Sequence, residues 1–153
     1  MIMVSACLFG VNCKYNGRNN YRQHLYSRLK GEEIALFCPE QLGGLKTPRL
    51  PSEIKGGTGQ DVLDGTIQVI SSKGSDLTAE FILGANETAK LAGRMRPSLV
   101  ICKSNSPSCG VGRIYDGTFS ECLRPGDGVA SALLKKAGFT VITDNEFLSQ
   151  GRN

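Results

Sequence analysis

Short apolar runs, each closed by cysteine, proline or glycine, alternate along the chain with segments of helical spacing. The run at 2–6 (IMVSA) reads as a buried strand that ends at Cys7, with Gly10 soon after. Tyr21, Leu25 and Leu29 recur at helical spacing, and Gly31 follows as a stop signal. A second apolar run at 34–37 (IALF) ends at Cys38 and Pro39, where proline forbids further ladder pairing in a central strand. Together these segments predict a β-α-β unit. Residues 39–60 carry Pro39, Pro48, Pro51 and five glycines without clear periodicity, so they predict a long connection of the kind that is usually functional or mobile.

The pattern then repeats. Residues 67–70 predict a short strand, and Asp76 is placed to cap a helix whose Phe81, Ala85, Ala89 and Ala92 share one face. Gly93 and Pro97 end that helix, residues 99–102 (LVIC) predict a third buried strand, and a turn-rich stretch occupies 104–128. Asp127 is placed to cap a helix that runs through Lys136, Gly138 closes it, and residues 139–142 predict a fourth strand. Strands alternating with helices predict one α/β domain over residues 1–153, a Rossmann-like open, mainly parallel sheet with helices on both faces. Such sheets bind ligands beyond the carboxyl ends of their strands. Cys7 and Cys38 follow strand ends directly, and Cys109 lies seven residues past Cys102 in the loop leaving the third strand. Three thiols from three loops are thereby placed to meet at one sheet edge.

Composition narrows the classes of function. A chain of 153 residues, 40% hydrophobic, has enough core to stand without disulfides. A net charge of +4, from 18 basic and 14 acidic residues, is too small and dispersed to predict duplex nucleic-acid binding, but it leaves room for a small anionic ligand. The N-terminal apolar segment is short and has no basic flank or cleavage site, so a cytoplasmic protein with no membrane association is expected. Six cysteines then need a reason other than a disulfide framework, either metal and redox chemistry or core packing. No pair has Cys-x-x-Cys spacing and the single histidine, His24, falls inside a helix, which disfavours a standard structural zinc site. Soft thiolates dispersed along the chain suit an iron–sulfur cluster, and spacing alone leaves core packing as the alternative.

The surrounding motifs carry a resemblance. Ser5-Ala6-Cys7-Leu8-Phe9-Gly10, Cys13-Lys14-Tyr15-Asn16-Gly17, Cys38-Pro39-Glu40, Gly43-Gly44-Leu45 and Pro48-Arg49 are followed by Ser106-Pro107-Ser108-Cys109-Gly110, by Ile114-Tyr115-Asp116-Gly117-Thr118-Phe119 and by Gly126-Asp127-Gly128-Val129. In that order they resemble the thiouracil desulfurase family over nearly the whole chain. The resemblance implies a [4Fe-4S] cluster held by Cys7, Cys38 and Cys109, with one iron open to the sulfur of a thiocarbonyl substrate. Cys13 is a possible fourth ligand. Cys102 and Cys122 match no family cysteine and are expected to be a buried strand thiol and a loop thiol.

An open iron is a Lewis acid for soft sulfur and activates the attached carbon to attack by water. Glu40, two residues after a ligand, is placed as the proton-transfer group; its alternative is a helix N-terminal or surface carboxylate, and the resemblance favours catalysis. Ser106 is expected to be catalytic or substrate-binding and Ser108 to support it, against the ordinary role of loop serines in local turns. Arg49 and Lys103 are candidates for a substrate phosphate, although lone basic residues are usually just solvated. Gly56-Gly57-Thr58-Gly59 reads as a flexible turn before an anion nest, because no P-loop lysine follows. Asn16 stands where the family pattern has aspartate, which removes one charge near the first motif.

The expected function is non-redox desulfuration of a thiolated uracil, 2- or 4-thiouracil or a 4-thiouridine phosphate. The alternatives are a sulfur-transfer protein and a cluster- or zinc-bearing sensor or scaffold. A scaffold would close its site with four protein ligands, so Cys13 discriminates. Oligomeric state is not legible.

Overall fold

In the computed structural model, which describes residues 1–151, four apolar runs line up as one parallel sheet. The elements in chain order are β1 (Ile2–Ser5), α1 (Gln23–Arg28), β2 (Ile34–Phe37), α2 (Pro39–Leu42), β3 (Ser52–Ile54), α3 (Gly59–Leu63), β4 (Val69–Ser71) and α4 (Thr78–Met95). They continue as β5 (Leu99–Cys102), β6 (Arg113–Tyr115), β7 (Leu123–Pro125), α5 (Val129–Lys136), β8 (Val141–Thr143) and α6 (Asp144–Ser149). A 3₁₀ turn, Ala6–Phe9, follows β1 directly.

The sheet order is β2-β1-β5-β8 with every neighbouring pair parallel. Register sets Met3, Ala35, Val100 and Val141 side by side, and the next residues, Val4, Leu36, Ile101 and Ile142, side by side on the other face. Met3, Val100 and Val141 pack with Ala92 of α4 and Leu134 of α5. Val4, Ile101 and Ile142 pack with Leu25 of α1 and with Phe147 and Leu148 of α6. Helices therefore cover both faces, as the alternation predicts. Among the described residues no helix is long and apolar enough to cross a membrane. The chain leaves β1 for β2 on one side and reaches β5 on the other. Strand order thus reverses between β1 and β5, and this switch point is where such sheets open a ligand crevice.

The two stretches without periodicity hold structure that the sequence did not reveal. Residues 39–60 contain α2 and β3, and β3 pairs antiparallel with β4 over a third core of Ile54, Val62, Val69, Phe81, Ile114 and Val129. Residues 104–128 contain the antiparallel hairpin β6–β7. Strands of three residues are too short to display a period of two. The caps also differ. Asp76 lies one residue outside the cap, accepting the Thr78 N–H, while Leu77 is the N-cap. Asp127 does not cap α5 either: Gly128 holds that position, and the Asp127 carboxylate accepts from Gly112 N and Lys135 Nζ. The last strand starts at Val141: Phe139 N still donates back to Leu134 O of α5, and Thr140 contributes only its carbonyl, which accepts from Val100 N.

Helices α2 and α4 cross at two glycines. A Cβ on Gly84 would lie 2.0 Å from the Pro39 carbonyl oxygen, and one on Gly43 would lie 2.1 Å from that of Glu80. Gly84→Ala gains about 1 kcal/mol of helix propensity and meets an overpacking cost of roughly 1–3 kcal/mol, here at the upper end because backbone opposes it. The expected net loss of about 1–2 kcal/mol lowers Tm by roughly 2–8 °C. Gly93→Ala in the same helix has nothing within 4 Å and should stabilise. Thermal melts of the two variants against the parent check both signs.

Candidate functional site

At the switch point the structure opens a cavity of about 520 Å³, lined by Ser5 at the end of β1 and Cys7 beyond it, Cys38 and Glu40 beyond β2, and Lys103, Ser106, Ser108 and Cys109 beyond β5. Cys13 lines it as well. The three loops that the sequence placed at one edge do converge, together with the fourth thiol.

Each cysteine is positioned by a local device. Cys7 sits in the 3₁₀ turn that ends β1. Cys38 is the N-cap of α2, with Pro39 at the first helical position. Cys109 is held from α5: the N–H groups of Val129 and Ala130 donate to the carbonyls of Pro107 and Ser108 at 2.8 and 3.0 Å, and Gly128 N donates to Gly110 O at 2.8 Å. Ser131 Oγ adds a bond to Cys109 O at 2.8 Å. These loop carbonyls satisfy the free amides of the helix, the task the sequence reading assigned to Asp127. Gly128 permits the approach, since a Cβ there would lie 2.5 Å from the Ser108 carbonyl carbon.

The thiols are unequal. The Cys13 thiol donates toward Cys7 and Cys38, which lowers both below the ordinary thiol range against the opposing effect of burial. Asn20 assists at Cys7, and the Gln41 N–H and Arg49 assist at Cys38, which falls to about 7. Cys13 itself is pushed far up, because its proton is held in the hydrogen bonds to Cys38 and Cys7 and burial further opposes its anion. Cys109 is raised by its contact with Cys102 and by burial, with Ser5 Oγ donating to its sulfur at 3.5 Å in opposition.

Glu40 anchors the polar side. Ser106 Oγ accepts the N–H groups of Ser108 and Cys109 at 3.2 and 3.1 Å, leaving its own proton for Ser108 Oγ at 3.0 Å. Ser108 Oγ in turn reaches Glu40 Oε2 at 3.4 Å. Burial raises the Glu40 carboxyl, while Arg49, 3.5 Å away, and Ser108 pull it down. Lys103 lines the cavity, with its Nζ bonded to Ser104 O at 2.9 Å.

Other candidates stand elsewhere. Arg49 lies outside the cavity lining, donating to Cys13 O, Lys46 O and Thr47 Oγ1 as well as pairing with Glu40. Thr58 and Asp61 form a capping box on α3, so the glycine-rich turn before it opens a helix. Asn16 accepts the Arg18 N–H in an exposed turn. Cys102 is buried and Cys122 exposed. Sequence reasoning missed the lining residues Asn20, Glu53, Phe119 and Glu121, and it gave Ser5 no role. For Phe119 the available signal was its place in a glycine-bearing motif.

The donor set fits an iron–sulfur cluster. Four thiols and no histidine line the cavity, and two of the thiols are shifted toward easier deprotonation. Among the described residues no three metal-binding side chains are gathered tightly enough to chelate one ion. The four thiols instead share the lining of one cavity, and it is their soft donor chemistry that suits a multi-iron cluster.

Comparison with known proteins gives three matches. The family model for 2-thiouracil desulfurase matches residues 2–146. The chain is 47% identical over 146 residues to the protein YbbK of Bacillus subtilis (strain 168), described as uncharacterized, covering 95% of this chain and 97% of that protein. It superposes on the [4Fe-4S]-dependent thiouracil desulfidase TudS with a TM-score of 0.84 at 35% identity, covering 97% of this chain and 93% of that one.

The thiol pattern predicts selective alkylation of the metal-free protein under reducing, anaerobic conditions. A lowered pKa puts thiolate on Cys38 above it, so the rate of iodoacetamide labelling at Cys38 should rise as pH increases through about 7. Cys13 and Cys109, both shifted upward, should react only after unfolding. Cys13→Ala removes the S–H donor and should move the Cys38 inflection upward, as read by peptide mass spectrometry across a pH series.

Proposed function

Because the chain belongs to the 2-thiouracil desulfurase family, we propose that it removes the sulfur of a thiolated uracil, using a [4Fe-4S] cluster held by Cys7, Cys38 and Cys109. The observation that carries this reading is the convergence, in one cavity, of four thiols with the hydrogen-bonded series Ser106, Ser108 and Glu40. When bound, the cluster supplies a soft Lewis acid for the thiocarbonyl sulfur.

The chain's own residues do the rest. Net chemistry is thiocarbonyl plus water giving carbonyl plus hydrogen sulfide, with no change of oxidation state. Glu40 takes the proton of the attacking water at its carboxylate, which burial makes more basic than an exposed one. Ser108 and Ser106 extend the reach of Glu40 across the cavity: each hydroxyl passes its proton one step toward the carboxylate while accepting one behind it. Arg49 keeps Glu40 aimed by pairing with it and by binding the Cys13 carbonyl. Lys103 offers the substrate a cation at the end of β5, whether that substrate is 2-thiouracil, 4-thiouracil or a 4-thiouridine phosphate. Cys13 keeps its proton beside Cys7 and Cys38 and is not a ligand in this reading. The substrate is a small molecule, met in the cytoplasm.

The test is an anaerobic assay of the iron-reconstituted protein, following loss of thiouracil absorbance together with sulfide release. Cys7→Ser, Cys38→Ser and Cys109→Ser should each lose iron and the brown colour, because a hard hydroxyl replaces a soft thiolate. Cys102→Ser and Cys122→Ser should keep both. Iron retained in Cys13→Ser supports a cluster with one open iron, whereas iron lost there favours a closed four-ligand scaffold. Glu40→Gln cannot accept a proton near neutral pH, so at matched iron content its turnover should fall ~10²–10⁴-fold. Turnover within about threefold of the parent would move the proton work to another group.

A further inference from the structure

The turn joining β6 to β7 forms part of the cavity wall and serves none of the chemistry above. Phe119 and Glu121 line the cavity from this turn, yet their φ angles are 56° and 61°. That is left-handed backbone, which a bulky residue such as phenylalanine rarely adopts unless the surroundings impose it.

Here β3 imposes it. The carboxylate of Glu53, only 8% exposed, accepts the N–H groups of Gly117 and Phe119 on a single oxygen, Oε1, at 3.0 and 3.2 Å. Gly56 N donates to Asp116 O at 3.2 Å from the same side. Gly117, at φ 95°, lies so close that a Cβ would sit 2.5 Å from the Ile54 carbonyl oxygen. A hairpin tip exposed to water needs no buried carboxylate to order it. This one is ordered by a charged acceptor and a glycine contact, and the outcome is an aromatic ring presented to the cavity.

We propose that Phe119 is the substrate-stacking residue of this cavity and that Glu53 is the positioning residue that holds it there. Aromatic rings grip flat nucleobases through their faces without demanding a particular hydrogen-bond pattern. The inference rests on the desulfurase reading for the identity of the ligand, a pyrimidine thione, and adds the side chain that meets the ring.

Cluster-loaded variants test it with two readouts, desulfuration kinetics on 2-thiouracil and binding of the unreactive probe uracil by ligand-observed NMR. Phe119→Ala should raise KM about ten- to hundredfold and weaken uracil to a similar degree, leaving kcat within about threefold. Phe119→Leu keeps apolar bulk without a ring face and should still lose several-fold in both. Glu53→Leu should reproduce Phe119→Ala, whereas Glu53→Gln, whose amide oxygen still accepts both N–H groups, should stay near the parent. The double variant Glu53→Leu/Phe119→Ala should bind no worse than Phe119→Ala alone, since both changes remove one interaction. KM and uracil binding within about twofold of the parent in Phe119→Ala or Phe119→Leu, at parental iron content and melting temperature, overturn the proposal. Glu53→Gln as damaging as Glu53→Leu overturns the positioning role. If the parent binds uracil through Phe119 but releases no sulfide from thiouracil, the desulfurase reading fails and the stacking assignment stands.

Discussion

The first amides of a helix have no acceptors within the helix, and at α5 they are met by the loop that carries Cys109. Gly128, Val129, Ala130 and Ser131 donate to Gly110, Pro107 and Ser108, and the Ser131 hydroxyl takes the Cys109 carbonyl. A side-chain cap would have satisfied the helix and left the loop free. Using the loop as the cap ties two needs together, so Ser106, Ser108 and Cys109 are held as firmly as α5, which packs on the sheet through Leu134. The glycines at 110 and 128 follow from this arrangement, because any side chain at either would strike backbone.

The same logic places Cys38 and Glu40 on the facing wall. They open a helix of only four residues, too short to be stable alone. That helix persists because Gly43 and Gly84 let it lie directly on α4. The wall bearing a thiol and the carboxylate is thereby set by a helix–helix contact formed some forty residues along the chain. Arg49 then closes the arrangement by binding both Glu40 and the Cys13 carbonyl, joining the second cysteine loop to the carboxylate.

Charge in the cavity is arranged by sharing protons. Cys13 holds its proton and lowers two neighbours at once, so the sulfurs nearest β1 and β2 lose their protons more readily than ordinary thiols. Glu40 sits beside these sulfurs with its own carboxyl raised by burial, and Arg49 offsets part of that cost. The net effect separates a side of readily deprotonated thiols, suited to a soft metal centre, from a carboxylate and hydroxyl side suited to moving protons.

The sequence by itself determined the sheet and the chemistry class. Apolar runs ending at Cys7, Cys38 and Cys102, alternating with helical segments, argued for buried parallel strands. Cysteines just past two of those ends, with a third in the loop after the last, were thereby placed to meet at one edge, because all carboxyl ends of a parallel sheet point the same way. Family motifs then fixed the identity. What the sequence did not carry was every contact made across a long loop: the three-residue strands β3, β6 and β7 and the pairing of β3 with β4, the replacement of Asp127 by loop carbonyls, the turning of Arg49 toward Glu40, and the hold of Glu53 on the Phe119 turn. Periodicity reports which face of an element is buried, a property of neighbouring residues. A hydrogen bond between residues 53 and 119 leaves no trace in local spacing, and only tertiary packing could decide it.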